Sequence, residues 1–479
     1  FTDTPATFTN SEISPCFCAS SIKLRIDERE DKSISIGSTS NPVLFIVWAI
    51  IAALFILFFS LKRLPSRKQD IALEVQELLK LYAAHPQVTA LDTLLKNDTS
   101  RNIFLKGLNG SGPAMTIASL FTKGRGSYVC VLNDQEEAGY FYHDLMQLTA
   151  SNEVYFFPSA YRRAIKYGHV DPANEILRTD VLSRLQDPDA SFVIVTYPDA
   201  LAERVVAREV LKENTLKISV GEKLDNMFVS DVLDEYGFEQ VDYVYEPGQY
   251  ALRGSILDVF SFSNEFPYRI DFFGDEVETI RTFDVETQLS KEKLDNIYIV
   301  PEMSKNAMDS TSLLGSLPRN TCIAARDLAW CKERIGSVWN DDPVVADEES
   351  FADIDQMRKK LVRGEDFLRE VLDFRRIHFG ARPMGTADAT IHFSTQTQPI
   401  YHKNFDRVSE SFHKYLDEGY ALYILSDQEK QANRIRMIFE DRGDNIPFTA
   451  VNRTIHEGFA DDTLRICFFT DHQLFDRFH

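Results

Sequence analysis

From Arg101 onward, short apolar runs alternate with longer amphipathic stretches. Ile103-Phe104-Leu105 and residues 128–132, 154–157 and 192–195 carry the β-branched and aromatic content of strands, while 115–121 and 135–148 predict helices between them. Such alternation predicts an α/β unit built on a parallel sheet with crossover helices. Between about 205 and 296 the apolar runs crowd together, at 243–245, 255–262 and 268–273. Pro247-Gly248, Ser263-Asn264 and Gly274-Asp275 supply turns between them. With a helix expected around 229–236, this is a small, mainly antiparallel α+β module inserted into the α/β unit. A second α/β unit is expected from about Phe379, with strands at 391–393, 421–425 and 464–469 and a helix at 428–441. The expected domains are therefore 72–204 and 297–377 for the two parts of the first unit, 205–296 for the insertion, and 378–479 for the second unit.

The first seventy residues break this pattern. Residues 1–42 are rich in Ser and Thr, and 43–61 (VLFIVWAIIAALFILFFSL) hold no charge at all. A helix of that length spans a hydrocarbon core about 30 Å thick. Lys62, Arg63, Arg67 and Lys68 follow, which places that side in the cytoplasm by the positive-inside rule. A transmembrane helix over 43–61, within a separate segment 1–71, is the expectation. A buried core helix and a segment foreign to the main body are the alternatives.

Composition narrows the function. The chain has 479 residues, 44% hydrophobic and 26% charged, as folded proteins do. Its formal net charge of -21 repels a phosphate backbone and favours protein partners over extended duplex contact. Six cysteines form no C-x-x-C pair and lie at no metal-ligand spacing from a histidine, so no metal site is expected. Cys130 and Cys467 sit in apolar runs and are expected to be buried thiols. Beginning at Phe1 and stopping at His479, the chain is expected to be a part of a longer one.

The most informative short motif is Gly107-Leu108-Asn109-Gly110-Ser111-Gly112-Pro113-Ala114, which follows a strand and opens a helix as a phosphate-binding loop must. A working loop reads G-x-x-x-x-G-K-[ST]. Gly107 and Gly112 fit, but Pro113 stands at the lysine position and Ala114 at the magnesium-binding hydroxyl. Proline also removes a backbone N–H, yet it is tolerated in the first turn of a helix, so the loop keeps its shape without its chemistry. No catalytic residue is expected here.

Residues 107–118 resemble the first motif of the nucleotide-excision-repair protein UvrB with its catalytic residues erased. Gly248-Gln249-Tyr250-Ala251-Leu252-Arg253-Gly254-Ser255-Ile256-Leu257-Asp258-Val259-Phe260, then Tyr268-Arg269-Ile270-Asp271-Phe272-Phe273-Gly274-Asp275-Glu276 and Ile280-Arg281-Thr282-Phe283-Asp284, resemble the UvrA-binding domain of UvrB. The dead loop, and a stretch 154–171 too short for the damage-probing hairpin of UvrB, make the chain similar instead to the UvrB-homology region of the transcription-repair coupling factors (Mfd). Phe469-Thr470-Asp471-His472-Gln473-Leu474-Phe475 looks like the approach to that family's polymerase-interaction domain. The resemblance spans roughly 72–479.

It implies a P-loop-NTPase-like sheet with a degenerate loop, and a cytoplasmic, non-catalytic adaptor that recruits UvrA to stalled RNA polymerase. Arg253 is the first expected contact, because a guanidinium forks onto carboxylates or carbonyls; Tyr250, Phe260 and Arg281 are further ones. Core packing is the alternative for Phe260 and the other strand residues, and a solvated surface position or an intramolecular ion pair for both arginines. The motor, with its ATP and Mg²⁺, the contacts to RNA polymerase and DNA, and a C-terminal domain that masks the UvrA-binding face, are expected in the rest of a full-length member. No cofactor is expected in this part. Two other classes remain open: a membrane-anchored nucleotide-binding protein or enzyme, and a damaged-DNA binder using Arg162, Arg163, Lys166 and Tyr167.

Overall fold

The computed structural model describes residues 23–25, 33–35, 75–97, 100–124, 126–160, 172–187, 189–262, 264, 266–301, 310–340 and 358–475. The chain divides into two units, 1–69 and 70–479. In the first, Lys23–Arg25 pairs antiparallel with Ser33–Ser35, with Leu24 opposite Ile34. The expected membrane helix at 43–61 lies outside the described residues, as does the basic cluster at 162–167. Among the described residues no helix is long and apolar enough to cross a membrane.

The second unit is built on a seven-stranded, wholly parallel sheet. Its order is Ala389–His392, Asn102–Lys106, Arg375–His378, Cys322–Ala325, Tyr128–Val131, Val193–Thr196, Val154–Phe156. The central strands Tyr128–Val131, Cys322–Ala325 and Val193–Thr196 are buried at every position, as strands covered on both faces by helices must be. The helix Gln135–Thr149 shows how local sequence sets such an element. Asp134 caps it by accepting from the Glu137 N–H at 2.9 Å, and Glu136 and Glu137 complement its positive end.

Ala389–His392 belongs to this first sheet, pairing Ile391 with Leu105, so the strand expected to help open the second unit extends the first instead. A short apolar run fits either sheet; what decides is its parallel register against Asn102–Lys106. The second sheet has five strands, in the order Thr395–Thr397, Phe459–Asp461, Ile466–Thr470, Ala421–Leu425, Thr449–Val451. The first three pair antiparallel and the rest parallel. Leu425, Val451, Ile455, Phe459 and Phe468 of this fold join Tyr82, Ile103, Leu105 and Leu108 in one continuous apolar core. Two sheets thus share one interior.

The inserted module enters and leaves through two short ladders. Val205–Val206 pairs with Ser310–Thr311, and Leu216–Ser219 with Asn296–Ile299, both antiparallel. Beyond them lies a six-stranded sheet, Ser290–Leu294, Glu276–Phe283, Tyr268–Phe273, Ile256–Val259, Gln249–Arg253, Glu239–Gln240. All its pairs are antiparallel except the last. The helix Asn226–Glu235 covers one face, and Val229 and Leu233 pack with Tyr250, Leu257, Val259, Ile270 and Ile280. That core is separate from the one beneath the parallel sheets.

Candidate partner-binding face and degenerate phosphate loop

The loop after Asn102–Lys106 has the backbone of a phosphate loop. Gly107 and Gly110 adopt φ of 91° and 52°, which side chains resist, and the helix Gly112–Gly124 follows at once. Pro113 and Ala114 are buried in its first turn. Two of its main-chain donors, the Asn109 and Ser111 N–H groups, are engaged with the second α/β fold. The Ser111 N–H donates to the Glu457 carbonyl at 2.9 Å, while Ser111 Oγ accepts from the Glu457 N–H at 3.0 Å. Thr395 Oγ1 accepts from the Asn109 N–H and donates to the Gly107 carbonyl, both at 2.8 Å.

A cleft of about 490 Å³ opens beside the loop, lined by Asp134, Glu136, Glu137, Asp144 and Glu457 with Arg326 facing them. Burial raises the Asp144 carboxyl to about 7 and also raises that of Glu457. Even with Asp144 and Glu457 set aside, Asp134, Glu136 and Glu137 against one guanidinium make a poor polyphosphate site. Among the described residues no group of three His, Cys, Asp or Glu side chains is placed to hold a metal ion.

On the module, the face opposite the helix Asn226–Glu235 carries a row of charges across four strands. Ala251, Asp258, Arg269, Arg281 and Lys293 lie in lateral register. Asp258 is almost wholly buried and accepts from two arginines. Arg269 reaches it from Nε at 2.7 Å and Nη2 at 2.8 Å, and Arg253 from Nη2. The hydrogen bonds to Asp258 raise the Arg269 pKa, with burial opposing. Arg253 also donates to the Asp242 carbonyl at 2.9 Å and lies 5.1 Å from the Tyr243 ring centroid. Its side chain is 34% exposed, so it is held in one pose and still reaches solvent. Arg281 pairs with Asp271 and stays partly exposed. On this face Asp258 thus pairs with Arg253 and Arg269, and Asp271 with Arg281.

Of the contact residues expected from sequence, Arg253 and Arg281 lie on this open face. Tyr250 and Phe260 do not offer themselves to a partner. Tyr250 is 1% exposed on the helix-covered side, its hydroxyl donating to Asp234 at 2.7 Å, and burial raises its pKa to about 12. Phe260 is 6% exposed and packs with Val244 and Ala251. Both are core residues, Tyr250 in the helix-covered interior and Phe260 in a small apolar cluster just past the strand Ile256–Val259.

Phe273 was not singled out from sequence, and at 78% exposed it is the most open large apolar side chain among the described residues. Phe272 is buried in the module core, so alternation turns Phe273 to the Arg253 side. Two adjacent aromatics before Gly274 carried the signal, because only one of them can face a one-sided core.

The UvrB interaction domain model matches residues 216–304, the stretch that contains this face. The transcription-repair-coupling factor of Escherichia coli strain K12 is 29% identical over 195 residues, 40% of this chain and 17% of that protein. That of Bacillus subtilis strain 168 is 29% identical over 198 residues, 41% of this chain and 17% of the relative. A Staphylococcus aureus relative of the same name, strain bovine RF122 / ET3-1, is 22% identical over 447 residues, covering 78% of this chain and 38% of that protein. The chain thus spans well under half the length of the curated relatives it matches. Residues 216–304 thus match the UvrB interaction domain, and the chain is similar over part of its length to the bacterial transcription-repair-coupling factors.

Proposed function

We propose that this chain is the recruiting part of a transcription-repair coupling factor, and that its inserted module docks UvrA to bring it to RNA polymerase stalled at DNA damage. The observation that carries this reading is the Arg253–Asp258–Arg269 row, with Phe273 on the same helix-free side of the module. An arginine fixed by a buried carboxylate gives up little conformational entropy on binding, and an exposed aromatic on the same face provides an apolar anchor.

In this reading the chain is an adaptor without catalysis of its own. ATP-driven translocation on DNA, with its Mg²⁺, and the contacts to RNA polymerase belong to the portions of the relatives outside the match. A C-terminal masking domain of the full-length protein would cover the same face, and the site of action is the cytoplasm. The membrane-anchored nucleotide enzyme is the weaker reading, because the loop's N–H groups and the acidic cleft beside it both disfavour a nucleotide.

The test is calorimetric titration of the chain with purified UvrA in the absence of nucleotide, wild type against Arg253→Ala. Binding that weakens by more than about 1 kcal/mol, as for an interface anchor, supports the adaptor. A folded wild-type chain that leaves UvrA unbound sinks it.

A further inference from the structure

We infer that the degenerate phosphate loop is a socket whose ligand is the main chain of residues 456–458 in the following α/β fold. The ancestral anion-binding geometry has become an internal joint that excludes nucleotide. A phosphate loop binds by pointing backbone N–H groups at oxygen atoms. Here the oxygen is the Glu457 carbonyl, 2.9 Å from the Ser111 nitrogen, and the bond is reciprocated through Ser111 Oγ and the Glu457 N–H. One residue before, the His456 N–H donates to Asp144 Oδ1 at 2.6 Å, and the His456 ring stacks on Tyr140 at 3.7 Å between centroids.

The fit requires glycine where the loop meets the segment. A Cβ on Gly110 would stand 2.9 Å from the Glu457 carbonyl oxygen and 3.0 Å from that of Gly458. Gly107 is as tightly placed, since its Cβ would come within 2.3 Å of the Phe393 oxygen. Gly458 is itself fixed, its N–H donating to Gln473 Oε1 at 3.1 Å. The segment is held from behind as well as in front.

Nucleotide exclusion then has two causes. The Ser111 donor is already satisfied by a neutral carbonyl, and any phosphate chain would lie in the cleft lined by Asp134, Glu136, Glu137, Asp144 and Glu457. Loss of the lysine and the magnesium ligand fits this change of use: a site that binds a peptide has no need of either. The inference is independent of UvrA docking, which uses a different face.

Hydrogen exchange read by mass spectrometry on the whole chain tests it. In the wild type, peptides covering 107–112 and 455–459 are expected to be protected together, and millimolar MgATP is expected to leave both unchanged. In Ser111→Ala/Asp144→Ala, exchange at 455–459 is expected to quicken at least tenfold, while the sheet strands Tyr128–Val131 and Cys322–Ala325 keep their protection. If the double variant loses protection in those strands as well, Ser111→Ala alone is read by the same criterion. Unchanged protection of 455–459 in the folded variant, or a response of the wild-type loop to MgATP, overturns the socket.

Discussion

His85 and Asp461 form a buried pair across 376 residues of sequence, His85 Nε2 lying 3.1 Å from Asp461 Oδ2 with both side chains fully enclosed. The other ring nitrogen, Nδ1, accepts from the Gln87 N–H at 3.1 Å as the cap of the helix Pro86–Lys96. With Nδ1 an acceptor, Nε2 carries the hydrogen and donates to Asp461. Asp461 Oδ1 in turn accepts from the Thr463 and Leu464 N–H groups at 3.0 Å. One imidazole therefore closes a helix in the N-terminal part of the second unit and ties it to an interior strand of the second sheet.

His85→Ala removes both hydrogen bonds and leaves a cavity beside Tyr82 and Phe393. A loss of about 2–4 kcal/mol is expected in urea unfolding, from a lost buried bond to a charged group plus cavity formation. His85→Gln, which can still donate, is expected to lose less. Equal losses for the two variants would show that the ring fills space and that its hydrogen bonds contribute little.

On the module, substitutions separate contact from packing. Arg253→Ala and Phe273→Ala are each expected to weaken UvrA binding about tenfold, near 1.4 kcal/mol. Phe273→Ala is expected to keep wild-type stability, while Arg253→Ala costs about 1 kcal/mol because Asp258 keeps only Arg269. Tyr250→Phe removes the hydroxyl bond to Asp234 and is expected to cost about 1 kcal/mol of stability while leaving UvrA affinity unchanged. Phe260→Ala is expected to destabilise by about 3 kcal/mol through cavity formation. A UvrA defect for Tyr250→Phe at full stability would move the binding face to the helix side of the sheet.

These residues also mark where sequence stopped being sufficient. The strand-helix alternation, the inserted module and the altered loop were all legible, because periodicity and turn chemistry are local. The facing of Tyr250-Ala251-Leu252-Arg253 was not. Apolar residues occupy both parities of that strand, since the helix Asn226–Glu235 covers one side and Val244 and Phe260 close part of the other. The strand Ala389–His392 was assigned by order along the chain, yet pairing with Asn102–Lys106 puts it in the first sheet. Nothing near Ser111 announced Glu457, and nothing near His85 announced Asp461: contacts between distant segments leave no period to read.

Restoring the missing side chains is not expected to restore the chemistry. Pro113→Lys/Ala114→Thr returns the ammonium and the hydroxyl of a working loop, but the Ser111 N–H stays engaged with Glu457 and the carboxylates of the cleft remain. Position 113 is buried, so the lysine also carries a desolvation cost. Mg²⁺-dependent ATP hydrolysis by the variant is expected to stay at background. Turnover that appears in this variant and vanishes on Gly112→Val would mean that only two side chains separate the loop from catalysis.

The pH dependence of the joint follows from Asp144. Its carboxyl is raised from 3.8 to about 7, chiefly by burial, with the hydrogen bonds to Ser111 and His456 opposing the shift. In the folded chain Asp144 therefore keeps its proton to about pH 7, while in the unfolded chain it loses it near pH 4. Its contribution to stability is full below the unfolded pKa and is lost as pH rises towards 7, by up to about 1.4 kcal/mol per pH unit. Asp144→Asn cannot ionise, retains an oxygen to accept from the His456 N–H, and keeps a donor where the carboxyl proton was. Relative to wild type, the variant is expected to gain stability as pH is raised from 5 to 8, and to level off above 8. Urea midpoints at three pH values measure this directly. A difference between the two proteins that stays flat with pH would show that Asp144 is ionised in the folded chain across that range, and the pairing with residues 456–457 would then hold a charge rather than a neutral acid.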